Sequence, residues 1–97
     1  MSIMLIVDAK IKEDKLSEYA GFFAEILPDT RNFEGNEGIS LCVDEEDPSR
    51  IFLVEKWAAK ENYEKYHHWR EERGDLEKIR SLLDGRPNRI FLDIVNG

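Results

Sequence analysis

The chain has 97 residues, a length that suits one domain spanning residues 1–97. Hydrophobic residues make up 41% and charged residues 36%, a composition typical of a folded domain that excludes a disordered chain. The formal net charge is −7, and this acidic excess argues against binding to nucleic acid or to an anionic membrane surface.

The first predicted elements are a strand and a long amphipathic helix. Residues 3–11 alternate loosely and predict a strand, and Asp8 interrupts the apolar run too early for a signal peptide or a membrane span, so we expect a cytoplasmic protein. Apolar residues then recur at helical spacing and predict a helix over about 13–32, with Asp14 capping its start. Pro28 lies inside this pattern and predicts a kink or a restart.

A hairpin follows in the middle of the chain. Strands at about 38–44 and 50–57 flank the polar segment 45–49, whose residue types are those of a turn. The single cysteine, Cys42, lies in the first of these strands and is interpreted as a small core residue. One cysteine excludes an intrachain disulfide and a zinc cluster built from cysteines.

Two further helices and a last strand complete the predicted order. A helix over about 59–73 is interrupted at Gly74, and Asp75 is placed to cap a third helix that stops near Gly85. Residues 89–95 predict the last strand. The order βαββαβ is that of a ferredoxin-like α+β fold, in which helices cover one face of a four-stranded antiparallel sheet.

Both faces of the predicted sheet are apolar. Within residues 50–57, Leu53 and Trp57 point to one face while Phe52 and Val54 point to the other. The helices cover only one face, and monomers rarely tolerate an exposed apolar patch of roughly several hundred square ångströms. We therefore expect a homodimer in which the uncovered sheet faces of two copies pack together.

Aromatic residues are concentrated around the second predicted helix. Tyr63, Tyr66, His67 and Arg70 share one face of this helix, because a helix turns about 100° per residue. Together with Trp57 they predict an apolar pocket with a few polar tips, which suits a small hydrophobic or aromatic molecule. The alternative is that Trp57 and Tyr63 belong only to the core.

His67 is a candidate general base, since an imidazole pKa of about 6.5 suits proton abstraction near neutral pH. The alternative for His67 is a half-exposed residue bonded to a neighbour. His68 is adjacent and splays away by about 100°, so the two imidazoles cannot grip one metal ion from a helix. No metal-binding motif or phosphate-binding loop appears, and we expect neither a metal nor a cofactor.

Three carboxylates lie in predicted strands beside apolar residues: Asp8, Glu55 and Asp93. A buried carboxylate needs a partner or acquires a raised pKa. For Glu55 we favour a structural ion pair with an arginine across the dimer, the alternative being a role in the site.

Five segments of the chain resemble the antibiotic biosynthesis monooxygenase family. The most specific is 52–57, which ends in Glu-Lys-Trp at a strand end, and the others are 12–15, 28–31, 36–38 and 44–48. The resemblance implies a dimeric α+β barrel with one pocket per subunit between the sheet and the helices. Some members of the family oxidise polycyclic phenols to quinones with dioxygen and without a metal or a flavin; others degrade haem, isomerise signalling sugars, or have no known activity.

The resemblance also assigns residues. Haem-degrading relatives use Asn, Trp and His at the positions that hold Asp8, Tyr66 and Leu76 here, so haem is not expected. In quinone-forming relatives a Trp is followed six residues later by a Tyr, as Trp57 is by Tyr63, although Leu53 replaces their Asn.

The function expected from the resemblance is a cofactor-independent monooxygenase that oxidises an electron-rich aromatic or enolic compound with dioxygen. Trp57 and Tyr63 would orient the substrate, with Tyr66 and Arg70 among the binding residues, and His67 or Asp8 would be the base. Two alternatives stay open: a non-catalytic dimeric small-molecule binding protein, or an isomerase on the same scaffold.

Overall fold

The computed structural model of the protein describes residues 2–97, which form one antiparallel sheet and three helices. The sheet has the strand order β2-β3-β1-β4, and its helices cover one face, so the predicted ferredoxin-like α+β fold is confirmed. In chain order the elements are β1 (Ile3–Lys10), α1 (Leu16–Arg31), β2 (Asn36–Val43), β3 (Arg50–Trp57), α2 (Lys60–Arg73), α3 (Asp75–Leu82) and β4 (Asn88–Asp93).

The first helix bears on two predictions from the sequence, the cap at Asp14 and the kink or restart at Pro28. It begins at Leu16 after Lys15, and no side chain caps it; Asp14 instead adopts a left-handed φ of 63°, which turns the chain ahead of the helix. The predicted cap at Asp14 is therefore wrong. The helix also runs through Pro28 without a restart. Pro28 lies in its last turn, where the missing N–H removes only one hydrogen bond.

The boundary between α2 and α3 is set by Gly74, whose φ of 85° is left-handed and favours glycine. Asp75 was predicted to cap α3, but it is the first residue of that helix and makes no capping bond. Its carboxylate instead accepts hydrogen bonds from Arg70 and Arg73. The carboxylate of Asp75 thus binds two arginine donors of α2 in place of the backbone N–H groups that a capping aspartate would bind.

Strand alternation divides the sheet into two faces. On β1, Ile3, Leu5, Val7 and Ala9 are buried against the helices, and β3 contributes its odd-numbered residues to the same face. Leu5 pairs with Glu55 of β3 on one side and with Phe91 of β4 on the other. The core lies between this covered face and α1 and α2.

The opposite face of the sheet carries no helix and is largely apolar. Its side chains come from the even-numbered positions of β1, β3 and β4: Met4, Ile6, Phe52, Val54, Ile90 and Leu92. Ile90 and Leu92 are exposed, and the other four are half-buried. We call this surface the open face. Within residues 2–97, none of the helices combines the length and the apolar character needed to span a bilayer.

Candidate functional site

A small cavity lies between the covered face of the sheet and the helices. Its volume is about 60 Å³ and its walls are largely apolar. We call it the inner chamber. The polar groups on its wall come from six residues, and apolar side chains such as Phe23, Leu53 and Leu76 form the rest. Those six are Tyr19, Glu55, Tyr63, Tyr66, His67 and Arg89.

A wider depression of about 680 Å³ adjoins the inner chamber, and we call it the outer hollow. The two share six lining residues, namely His67, Leu76, Ile79, Leu83, Pro87 and Arg89. Ligand clefts in proteins usually measure about 300–1,000 Å³, so the inner chamber alone is too small for a drug-sized molecule. A ligand of that size that reaches the inner chamber must therefore extend into the outer hollow.

Among the residues that the structure describes, Glu55 supplies the one carboxylate on the wall of the inner chamber. Alternation along β3 turns its side chain to the covered face, between Leu53 and Trp57, and it is only 3% exposed. Its Oε1 accepts a hydrogen bond of 2.9 Å from the indole Nε1–H of Trp57. Burial raises the pKa of Glu55 to about 7, against the opposing effects of the Trp57 hydrogen bond and the charge of Arg89.

Arg89 joins two aromatic side chains of α2 to the sheet. Its Nε donates a hydrogen bond of 3.0 Å to the Tyr63 hydroxyl, and its Nη2 lies 3.4 Å from Nε2 of His67. Burial, followed by the charge of Arg89, lowers the pKa of His67, so the imidazole is neutral near pH 7. Burial raises the pKa of Tyr63, which keeps its phenol protonated. A neutral imidazole and a protonated phenol therefore stand together at one side of the chamber.

Trp57 supports this wall from behind. It is fully buried and does not line the inner chamber, but its ring packs 5.9 Å from Tyr63 and 5.1 Å from Tyr66, centroid to centroid. Its indole N–H fixes the carboxylate of Glu55. Trp57 therefore positions chamber residues without contacting the chamber itself.

Arg70 was expected to bind substrate, and the structure places it outside both spaces. Its side chain is 1% exposed and joins three helices through hydrogen bonds to the Tyr66 hydroxyl at 2.9 Å, the Ile26 carbonyl at 2.8 Å and Asp75 at 2.8 Å. Thr30 accepts a further bond from the same guanidinium. Arg70 thus orients Tyr66, whose side chain does line the chamber.

Asp8 is separated from the other predicted site residues by the sheet itself. It occupies an even-numbered position of β1 and lies on the open face, where its carboxylate accepts two hydrogen bonds from Arg50, at 3.1 and 2.8 Å. This contact lowers the pKa of Asp8. The structure therefore brings Tyr63, Tyr66 and His67 to the chamber, with Trp57 behind them, and leaves Asp8 on the opposite face.

Two residues of the site were not selected from the sequence, namely Glu55 as a chamber residue and Arg89. The signal for Glu55 was available, since it shares the strand face of Leu53 and Trp57, yet a structural ion pair was preferred. Arg89 carried no signal, because its position depends on the pairing of β4 with β1. No cluster of three or more potential metal ligands occurs anywhere in residues 2–97.

The fold and the chamber together define a ferredoxin-like α+β domain with a pocket between sheet and helices. A family model described as antibiotic biosynthesis monooxygenase matches residues 2–72, and the chain belongs to that family. The matched part ends within α2, so α3 and β4 lie beyond it. No curated protein matches the sequence.

Solved structures of similar fold share little sequence with the chain. Rv0793 from Mycobacterium tuberculosis has a TM-score of 0.87 at 12% identity, with 100% of this chain and 98% of that chain covered. A conserved protein from Methanosarcina mazei has a TM-score of 0.86 at 14% identity, covering 94% and 90%. A structure described as an antibiotic biosynthesis monooxygenase gives 0.85 at 17% identity, covering 97% and 99%. These likenesses establish the fold.

Proposed function

We propose that the protein is a cofactor-independent monooxygenase that oxidises an electron-rich aromatic or enolic small molecule with dioxygen, and that Glu55 is its base. The observation that carries this proposal is the buried Glu55 carboxylate on the wall of an apolar chamber. A carboxylate whose pKa is raised to about 7 can take a proton from a weakly acidic carbon and return it later at neutral pH. Membership of the monooxygenase family supports the choice of dioxygen as oxidant.

Glu55 is preferred over His67 because of what each group already binds. Oε1 of Glu55 accepts the Trp57 hydrogen bond, and Oε2 forms no hydrogen bond within residues 2–97, so it is free to accept a proton. Nε2 of His67 faces the guanidinium of Arg89 at 3.4 Å. An imidazole nitrogen that faces a permanent cation is a weaker proton acceptor. Asp8 cannot take this part, because it lies on the open face.

The reaction converts a CH₂ group and dioxygen into a carbonyl group and water. Glu55 removes one C–H proton, and the carbanion gives electrons to dioxygen and forms a C–O bond. The proton on Glu55 then passes to the outer oxygen of the peroxide. Loss of the second C–H proton breaks the O–O bond, and the hydroxide released combines with that proton as water.

The neighbouring side chains are suited to bind and orient the reactant. The Tyr63 phenol, held by Arg89, is protonated and can donate a hydrogen bond to the oxygen of an enolate as negative charge moves onto it. Apolar groups such as Phe23 and Leu53 exclude water from the reacting carbon. Tyr63 and Glu55 thus act on opposite ends of the same enolate.

The test uses anthrone, a planar compound with one acidic CH₂ group, and follows oxygen consumption together with quinone absorbance. Glu55→Gln should lower the rate by about 10²–10⁴-fold, the usual cost of a lost general base. Glu46→Gln, an exposed change in the hairpin loop, is the matched control and should leave the rate unchanged. The wild-type rate should rise with pH through about 7, because the base must be deprotonated.

Three results would count against the proposal. A Glu55→Gln rate equal to that of the wild type removes Glu55 as the base. A larger loss in His67→Ala than in Glu55→Gln assigns the base to His67. If anthrone and a panel of phenols and enols bind but no oxygen is consumed, the protein is a non-catalytic small-molecule binding protein.

One observation favours a second candidate, an isomerase. A buried carboxylate that takes and returns a proton is also sufficient to interconvert a ketone and its enol without dioxygen. An isomerase should exchange the substrate C–H for deuterium in D₂O without consuming oxygen. This exchange should be lost in Glu55→Gln.

We also propose that the protein is a homodimer and works in the cytoplasm. The six apolar side chains of the open face support pairing with a second copy, because a contiguous apolar surface of this kind is rare on monomers. Cys42 was interpreted from the sequence as a core residue, but it is an exposed free thiol. An exposed thiol suits a reducing compartment.

A further inference from the structure

The outer hollow carries a charge opposite to that of the chain as a whole. The net charge of the chain is −7, yet among residues 2–97 no carboxylate lines the hollow, and its charged wall residues are Arg80, Arg86 and Arg89. His67 adds an imidazole. With acidic residues outnumbering basic ones by 21 to 14, a wall with three arginines and no acid is a local reversal of the charge of the surface.

The three arginines differ in what neutralises them. Arg80 forms an ion pair with Glu71 at 3.1 Å, which offsets its charge. Arg86 and Arg89 form no ion pair with any carboxylate in residues 2–97. The hydrogen bonds of Arg89 go to the Tyr63 hydroxyl and toward His67, both of which are uncharged near neutral pH. Two arginines without an ion-pair partner among residues 2–97 therefore border the hollow.

The rest of the hollow is apolar. Leu76, Ile79, Leu83 and Pro87 line both the outer hollow and the inner chamber, whereas Arg80 and Arg86 line the outer hollow alone. A ligand that reaches from one space into the other therefore meets an apolar surface along its length and cationic groups at its outer end. This arrangement matches an amphiphilic molecule with one negative end.

From these contacts we infer that the substrate carries an anionic group, a carboxylate or a phosphate ester, which Arg86 and Arg89 bind in the outer hollow. The apolar part of the substrate then enters the inner chamber and brings its acidic carbon to Glu55. Arg89 lines both spaces, so it binds the anion at one end and holds Tyr63 at the other. The inference rests on the proposed function, for which it specifies the substrate class.

Both arginines lie in a segment that the family model does not match, since the match ends at residue 72. The chamber residues Leu53, Glu55, Tyr63, Tyr66 and His67 lie within the match. The match that places the chain in its family therefore does not include the two arginines proposed to bind the anion. A guanidinium is the side chain best suited to it, because its planar donors fit carboxylate and phosphate oxygens.

The experiment compares matched probes by calorimetry under anaerobic conditions, where no oxidation takes place. The probes are 6-hydroxy-2-naphthoate, its methyl ester and 2-naphthyl phosphate. The free acid should bind about tenfold more tightly than the ester, the difference expected for one charge-assisted hydrogen bond. The tighter of the two anions identifies the group as carboxylate or phosphate.

Arg86→Gln and Arg89→Gln should each reduce the acid-to-ester ratio by at least about threefold, since each removes part of the binding charge. Lys65→Gln removes an equal charge from an exposed position of α2 outside the hollow and should leave the ratio unchanged. Raising the salt concentration should weaken binding of the acid and leave binding of the ester unchanged, because salt screens charges.

Equal affinity for acid and ester overturns the inference. So does a preference for the acid that survives in both arginine variants, and so does the absence of binding by all three probes. Failure of the proposed function is distinguishable, because it appears as unchanged oxygen consumption in Glu55→Gln, while the preference for anions is measured without dioxygen.

Discussion

The indole N–H of Trp57 and the carboxylate of Glu55 form a hydrogen bond of 2.9 Å between two residues that share one face of β3. The bond stabilises the ionised carboxylate, whereas burial stabilises the protonated acid. The pKa of about 7 is the outcome of these opposing effects. Glu55 is held at a value that permits both loss and gain of a proton near neutral pH.

Replacing the indole should therefore raise the pKa of Glu55. Trp57→Phe removes the N–H donor that favours the charged form, and it costs about 1–3 kcal/mol of stability because the smaller ring leaves a void. Titration of the glutamate carboxyl carbons by NMR should place the Glu55 midpoint above that of the wild type. Trp69→Phe, which alters the tryptophan that does not bond Glu55, should leave the midpoint in place. An unchanged or lower midpoint in Trp57→Phe contradicts the account.

Stability should depend on pH through the same carboxyl group. Its pKa is about 4.5 in an unfolded chain and about 7 in the folded protein, so the folded state binds its proton more tightly. The stabilisation is fully present below about pH 4.5 and is lost as the pH rises through about 7. Glu55→Gln should therefore exceed the wild type in stability by up to about 3 kcal/mol at pH 8.

Urea unfolding at several pH values measures this difference, which should shrink toward zero near pH 4.5. Glu46→Gln, at an exposed position, should follow the wild type at every pH. A gap between wild type and Glu55→Gln that stays constant across the range would show that Glu55 titrates normally.

Two arginines that bond the same aspartate should differ sharply in their effect on stability. Arg70 and Arg73 bond Asp75 at 2.8 and 3.0 Å, but the side chain of Arg70 is 1% exposed and that of Arg73 is 49% exposed. Arg70→Met removes the buried donor that joins the Ile26 carbonyl, the Thr30 hydroxyl and the Tyr66 hydroxyl, and should cost about 2–4 kcal/mol. Arg73→Met should cost less than about 1 kcal/mol.

Thermal or urea unfolding of the two variants tests this contrast. Equal losses would mean that the hydrogen bonds of Arg70 to α1 contribute nothing beyond its ion pair with Asp75.

The open face should be the surface through which two copies associate. Light scattering of the wild type at micromolar concentration should give about twice the chain mass of 11.4 kDa. Val54→Lys places a charge in the middle of this face and should shift the mass to that of one chain, because a buried unpaired charge is costly. Ala20→Lys, on the exposed side of α1, is the control and should stay dimeric. A wild-type protein with the mass of one chain would contradict the proposed dimer.

The elements of the fold were predictable because their signals are local. Consecutive residues show the alternation of residues 3–11 and 50–57 and the helical spacing around Phe23. The structure has strands and a helix at these places. Capping was less predictable. Asp14 and Asp75 have side chains that can cap a helix. Asp14 instead forms a left-handed turn, and Asp75 instead accepts hydrogen bonds from two arginines.

The site was predictable only where one element supplied it. Tyr63, Tyr66 and His67 share a face of α2, and their common position follows from helical spacing. Asp8 was assigned through the resemblance, although its position in β1 alternates with Val7 and Ala9 and so puts it on the other face of the sheet. Arg89 required knowledge of strand order, which no local pattern contains.

The two spaces of the site are built from different stretches of the chain. The proposed base Glu55 and its hydrogen-bond donor Trp57 come from β3, whereas residues 76–89 supply most of the outer hollow. Reactivity and molecular recognition can therefore be altered separately. We expect that exchanging residues 76–87 among relatives, with Arg89 kept, changes which compound is accepted while Glu55, Trp57 and Tyr63 keep their hydrogen bonds, which makes α3 and the loop before β4 the part of this scaffold to redesign for a new substrate.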